Sequence, residues 1–132
     1  MKYLLDTDTC IYALKGMASV LASLLAKSRA DVAVSVITEA ELRLGAAKSS
    51  APVKTARLVE IFLRPLTIIE FGSADARAYA RVRARLERAG TPIGPLDTLI
   101  AAQAVDRTLV IVSNSVREFR RVAGLRVESW VS

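Results

Sequence analysis

Histidine is absent from this chain of 132 residues. That absence rules out His-based triads, imidazole general-base chemistry and His-ligated zinc, so any acid–base or metal chemistry must come from carboxylates. There is one cysteine, Cys10. It cannot pair within the chain, is expected as a small buried apolar residue, and suits a reducing, cytoplasmic setting. Aromatic residues make up only 5%, too few for base stacking to dominate a nucleic-acid contact. No apolar run approaches the roughly 18 residues of a membrane span. The short run Tyr3-Leu4-Leu5 before Asp6 is too brief for the apolar core of a signal peptide. The expectation is a soluble, cytoplasmic protein with no membrane partner.

What the chain does have is apolar residues and positive charge. Hydrophobic residues reach 52%, which excludes disorder as the general state and allows one compact domain over 1–132. Lys and Arg number 19 against 13 Asp and Glu, a net charge of +6 that favours an anionic partner such as nucleic acid. Short, non-alternating apolar segments at 2–5, 32–35, 66–71, 109–112 and 126–128 read as strands. Helical patterns occupy about 7–16, 18–27, 36–47, 52–63, 73–89 and 95–105. Such strands separated by helices predict an α/β domain, a central and mostly parallel sheet of four to five strands covered on both faces.

In parallel α/β sheets ligand sites lie beyond the C-terminal strand ends. Asp6 falls there, after the first strand. A helix N-cap is the plain reading of Asp6, but Thr7, Asp8 and Thr9 lie nearer the helix start and are expected to do that job, Asp8 above all, which leaves Asp6 for a site. In the helix from Val36, Glu39 and Glu41 point roughly 160–200° apart, so only one can face a given site. Glu39 shares its face with Arg43, a surface pairing. Glu41 lies beside Ile37, Leu44 and Gly45 and is expected to face inward, where it must be paired with a cation, a buried arginine being the plain alternative. Asp97 opens the very apolar helix after Gly94-Pro95; a charge–dipole contact is the plain reading, an anionic site the sharper one. Carboxylates gathered without histidine suit a hard cation, Mg²⁺ or Mn²⁺.

Two further features stay open between a structural and a functional role. Ser113-Asn114-Ser115, at the end of the fourth strand, is either a helix-capping turn or a holder of water near a metal. Arg77, Arg81, Arg85 and Arg88 share one face of the helix from Ser73, either a solvated face or a ridge that tracks phosphates.

The segments Tyr3-Leu4-Leu5-Asp6-Thr7-Asp8, Ser35-Val36-Ile37-Thr38-Glu39-Ala40-Glu41-Leu42, Gly90-Thr91-Pro92-Ile93-Gly94-Pro95-Leu96-Asp97 and Asn114-Ser115-Val116-Arg117-Glu118-Phe119, in that order and spacing, resemble the PIN-domain ribonucleases, most closely the VapC toxins of bacterial toxin–antitoxin pairs. The resemblance implies a PIN-like three-layer α/β/α fold and a Mg²⁺-dependent endoribonuclease that cuts structured RNA, tRNA or rRNA, to inhibit translation. It also implies a homodimer and a small VapB-like antitoxin that covers the active site. By the same resemblance, Asp6 and Asp97 would ligate the metal directly, and Glu41 would do so directly or through water.

Two departures from the family pattern stand out. Leu96 occupies the position before the third acid, usually asparagine. The fourth acidic position falls at Ser115, which implies one metal, or a second that arrives with substrate. A catalytically weak or inactive PIN-like RNA-binding module is the alternative function. Leu4-Leu5-Asp6-Thr7-Asp8 also resembles the first motif of haloacid-dehalogenase-type phosphatases. Their mechanism needs a downstream lysine, and no lysine follows Lys54.

Overall fold

The computed structural model describes residues 1–132. Five parallel strands, β1 (Tyr3–Leu5), β2 (Val32–Ser35), β3 (Thr67–Ile69), β4 (Val110–Val112) and β5 (Arg126–Glu128), form one sheet in the order β3-β2-β1-β4-β5. Seven helices connect them: α1 (Thr7–Leu14), α2 (Ala18–Leu25), α3 (Val36–Ala47), α4 (Pro52–Leu63), α5 (Ser73–Arg88), α6 (Pro95–Arg107) and α7 (Val116–Phe119).

The strand sequences show why both faces are covered. All three residues of β1 and of β4, and all four of β2, are buried. Tyr3, Leu5, Val32, Val34, Val110 and Val112 point into one apolar cluster with Cys10, Val20, Leu42 and Val59, on the side of α1 to α4. Leu4, Ala33 and Ile111 point into the other, with Leu86, Ile100, Ala104 and Phe119 of α5, α6 and α7. Alternate side chains thus feed two cores, which is the three-layer α/β/α arrangement expected from the sequence. Cys10 is fully buried.

Element boundaries follow local chemistry. Gly16 adopts φ 81° just after α1, a left-handed stop that glycine takes at little cost. α6 runs to Arg107, beyond the expected end near Val105, and stops at Thr108 in the left-handed region with φ 55°. β3 is shorter than expected because it is an edge strand whose continuation pairs elsewhere. The Glu70 carbonyl accepts from the side chains of Gln103 and Arg107, both at 3.1 Å. A 3-10 turn at Arg29–Asp31 also precedes β2, with no periodicity to announce it.

α5 and α6 form an antiparallel hairpin. Arg107 at the end of α6 pairs with Asp75 in the first turn of α5 (3.1 Å), and the 89–94 loop closes the other end. The strand order reverses between β1 and β4: the chain moves outward through β2 and β3 and then returns to the other side of β1. Such a switch point opens a crevice outside the carboxyl ends of the strands.

Candidate active site

Asp6 and Ser113 follow the two strands that flank the crevice, β1 and β4. Asp6 is buried and its two oxygens are used separately. Oδ1 accepts from the Thr9 backbone N–H at 2.8 Å, and Oδ2 accepts from the Ser113 hydroxyl at 2.5 Å. Asp6 is therefore the N-cap of α1, correcting the expectation that Thr7, Asp8 and Thr9 would cap the helix and leave Asp6 free. The physical reason is the reach of the side chain: from the extended residue before a helix, a carboxylate meets the third N–H, whereas Asp8 already lies inside the first turn. Asp8 is exposed and caps nothing. Capping does not exhaust Asp6, since each carboxylate oxygen retains a second lone pair.

Glu41 is half-buried on α3. Its Oε1 accepts from the Thr7 hydroxyl at 2.6 Å, and Thr7 lies 3.2 Å from Thr38. No arginine pairs with it among the ion pairs. The phase that separates it from Glu39 holds: Glu39 pairs with Arg43 at 2.7 Å, and the same guanidinium reaches Glu60. The neighbours expected to bury Glu41 do not all do so, because Leu44 is 59% exposed and Gly45 is exposed. A hydroxyl, rather than an apolar helix face, holds Glu41 toward the strand edge.

Asp97 occupies the first turn of α6, a helix otherwise sunk in the core from Ile100 to Ala104. Its carboxyl is pushed up from 3.8 to about 6, first by burial and then by the negative charges of Asp6, Glu41, Asp8 and Glu118. Asp6 is likewise raised, with burial the main cause and the Ser113 and Thr9 hydrogen bonds opposing it. Acids from the β1 end, α3 and α6 thus feel one another's charge across a single crevice. Leu96, the neighbour of Asp97, is 44% exposed and presents an apolar side chain beside that acid.

Ser115 contributes through its backbone: its N–H donates to the Ser113 Oγ at 2.8 Å. Its side chain makes no capping bond to α7. The hydroxyl that reaches Asp6 belongs to Ser113, which the sequence offered only as one member of a polar turn. Its full burial, unusual for a serine following an apolar strand, is the property that marks it.

Of the arginine face on α5, Arg81, Arg85 and Arg88 line a groove of about 350 Å³ together with Arg121. Arg77 lies outside it and donates to the Ser73 hydroxyl at 3.1 Å. A second groove, lined by Ile11, Leu14, Leu42, Leu58 and Val59 of α1, α3 and α4, reaches Glu41.

Residues 3–125 match the family described as the PIN domain. The chain is 38% identical over 130 residues to the tRNA(fMet)-specific endonuclease VapC of Salmonella typhimurium, covering 98% of each sequence. It is 40% identical over 131 residues to the Ribonuclease VapC2 of Haemophilus influenzae, covering 99% of each. The crystal structure of DNA-bound VapBC from Salmonella typhimurium contains a chain that superposes with a TM-score of 0.94 at 38% identity, over 98% of both chains.

Proposed function

The chain belongs to the PIN-domain family and to its VapC ribonucleases, and from that membership we propose a metal-dependent endoribonuclease, the toxin of a VapBC-type pair, that hydrolyses structured RNA and so inhibits translation. The observation that carries this reading is the convergence of Asp6, Glu41 and Asp97 at the switch point, with Asp97 raised to about 6 by burial and by its acidic neighbours. Mutual repulsion of this kind is relieved by a divalent cation.

The donor set fits a hydrated ion better than a bare cage. No group of three His, Cys, Asp or Glu side chains closes around a point that could hold a metal. Mg²⁺ needs only one or two carboxylates and keeps several waters, and all donors here are hard oxygens, which suit Mn²⁺ as a substitute. Asp6 and Asp97 would hold the ion, and Glu41 would act through water. Once bound, the ion supplies charge neutralisation at the phosphodiester and lowers the pKa of water.

The chain's own residues do the rest. Ser113 fixes the Asp6 carboxylate, and Thr7 fixes Glu41. Glu41 is then placed to orient the attacking water and accept its proton as the water oxygen bonds to phosphorus and the opposite P–O bond breaks. The Ser115 N–H holds Ser113 in turn, so Ser115 supports the site from behind. Arg77, Arg81, Arg85 and Arg88 are the proposed contacts to RNA phosphates.

Partners follow from the same reading. A cognate VapB antitoxin is the expected protein partner, and the apolar groove that ends at Glu41 suits a segment that carries apolar side chains into it and a basic one toward the carboxylates. A homodimer, a cytoplasmic location and a single PIN domain over 1–132 complete the proposal. No single helix is long and apolar enough to cross a membrane.

The test is cleavage of initiator tRNA by the purified protein with Mg²⁺ or with chelator, with ribosomal RNA as the second substrate. Cutting that needs the ion and vanishes in a folded Asp97→Asn variant is the expected result. A wild-type protein that neither cuts RNA nor binds a divalent ion would sink the proposal.

A further inference from the structure

The groove between α5 and the 120–123 turn is walled by four arginines, Arg81, Arg85, Arg88 and Arg121. None of them is in an ion pair, whereas Arg83, on another face of α5, pairs with Glu87 at 3.0 Å. No acidic residue lines the groove. Its floor is apolar: Leu86 and Val122 are buried there, with Val82 and Val105 beside them. Arg85 and Arg88 sit in the last turn of α5, where cations complement the helix dipole. That account does not extend to Arg81, one turn earlier, or to Arg121, on another element. Four unpaired guanidinium groups around one depression repel each other unless an anion shares it.

Both walls lead back to the carboxylates. α5 continues through the 89–94 loop to Asp97, and Arg121 donates to the Pro92 carbonyl of that loop at 3.0 Å. The other wall follows α7, whose Glu118 contributes to the field at Asp97. Because the α5–α6 hairpin is antiparallel, Arg85 and Arg88 lie at its Asp97 end and Arg81 further out.

We propose that this groove is a nucleotide subsite for the RNA substrate, separate from the cleavage centre. The arginines hold the phosphates that flank one unpaired nucleotide, and its base lies on the Leu86–Val122 floor. The volume falls within the roughly 300–1,000 Å³ of small-ligand sites. Unpaired loop nucleotides are the part of a folded RNA that can be splayed out this way, and arginine planes can stack on them in a chain poor in aromatics. Arg121 thereby joins the α5 arginines as a contact, and Arg77 stands outside the groove. The inference rests on the reading of the chain as an RNA nuclease.

The test compares the full-length wild type with an Arg81→Ala/Arg121→Ala double variant and an Arg29→Ala control. Arg29 is exposed and precedes β2, at the sheet end opposite the carboxylates. With initiator tRNA and Mg²⁺, the double variant is expected to raise KM by roughly tenfold or more with kcat within about twofold. The slope of log affinity against log salt should fall by about one for each phosphate contact removed. A two-nucleotide RNA that reaches only the carboxylates should be cut equally well by all three proteins, and 4-thiouridine-substituted tRNA should crosslink to the 81–88 and 120–123 segments.

An unchanged KM, or an equal rise in Arg29→Ala, overturns the subsite. So does a variant that loses affinity for duplex DNA or for the antitoxin while tRNA affinity stays the same. tRNA binding by the Asp97→Asn protein, read by fluorescence anisotropy, separates the two hypotheses. If the wild type cuts no RNA, the nuclease reading fails, whereas tRNA binding that ignores Arg81 and Arg121 sinks the subsite.

Discussion

The carboxylate crevice and the arginine groove are joined by the 89–94 loop, yet they are built in opposite ways. In the crevice the three acids sit on buried or hydrogen-bonded supports. Asp6 is buried with a donor on each oxygen, Glu41 is tied to Thr7, and Asp97 is anchored in the first turn of a core helix. In the groove the charged ends are exposed, and of the four arginines only Arg121 has a fixed protein partner, the Pro92 carbonyl. Bond cleavage depends on groups placed to within fractions of an ångström, and burial with like-charge repulsion is what such placement costs. Attraction of a polyanion depends only on the density of positive charge, so long flexible side chains suffice. Substitutions in the crevice should therefore lower the chemical rate, and those in the groove should weaken RNA binding.

The largest break in that contrast is Asp97→Asn. Cleavage should fall by about a hundredfold or more, while the metal-free protein becomes more stable at neutral pH. The sign follows from the carboxyl at about 6 in the fold against an ordinary 3.8. The folded state binds the proton more tightly than the unfolded state. Stability is thus fully present below the ordinary value and is lost as pH rises through about 6. Asp97 is half-exposed, so screening reduces the effect to about 1 kcal/mol, a few degrees in Tm. Thermal melts at pH 5 and pH 7.5 should show the variant gaining more on wild type at the higher pH. Mg²⁺ should raise the Tm of wild type and leave that of the variant nearly unchanged. A variant that loses stability equally at both values would mean that Asp97 is structural.

Next in size is Glu41→Gln, expected to lower kcat by roughly ten- to a hundredfold with little change in tRNA affinity. An effect confined to KM would instead place Glu41 in substrate binding and blur the division between crevice and groove. Ser113→Ala tests whether the crevice is preorganised. The change strips the donor from Asp6 Oδ2 and the acceptor from the Ser115 N–H. It should cost about 1–3 kcal/mol of stability and about tenfold in activity or metal affinity. Ser113→Thr, which keeps the hydroxyl, should restore much of both. If threonine fails while alanine is tolerated, space rather than the hydrogen bond governs that corner.

Much of this arrangement was legible in the residues, and the parts that were not share a cause. The α/β/α layering follows from strands such as Val32–Ser35 and Val110–Val112 that are apolar at successive positions, a local property. Helix phase separated Glu41 from Glu39 for the same reason: 100° per residue needs no tertiary knowledge. The cap on α1 was misassigned because several residues in a row can cap, and only the backbone angle at Asp6, φ −76° and ψ 170°, selects among them. Ser113 stood only as one member of a polar turn because its partner lies 107 positions away, and no spacing rule links the ends of β1 and β4 until the strands are paired. Arg121 escaped the arginine face for the same reason: its groove is shared between two elements distant in sequence. Local periodicity gives faces, and pairing gives sites.

The smallest expected effect is the most discriminating for the phase assignment. Glu39 and Glu41 lie two residues apart on α3, but Glu39 faces Arg43, which also reaches Glu60 across to α4. Arg43 is an exposed hub, and an ion-pair network of this kind contributes little in water. Glu39→Gln should therefore leave RNA cleavage, tRNA affinity and the Mg²⁺ response of Tm within experimental error, in the same assays where Glu41→Gln loses most of its rate. High salt should weaken the Glu39–Arg43–Glu60 network, so any small destabilisation by Glu39→Gln should shrink in urea titrations at raised ionic strength. A loss of cleavage in Glu39→Gln comparable to that in Glu41→Gln would mean that α3 turns a different face to the crevice during catalysis. The hydroxyl clasp from Thr7 would then be a resting contact rather than the working one.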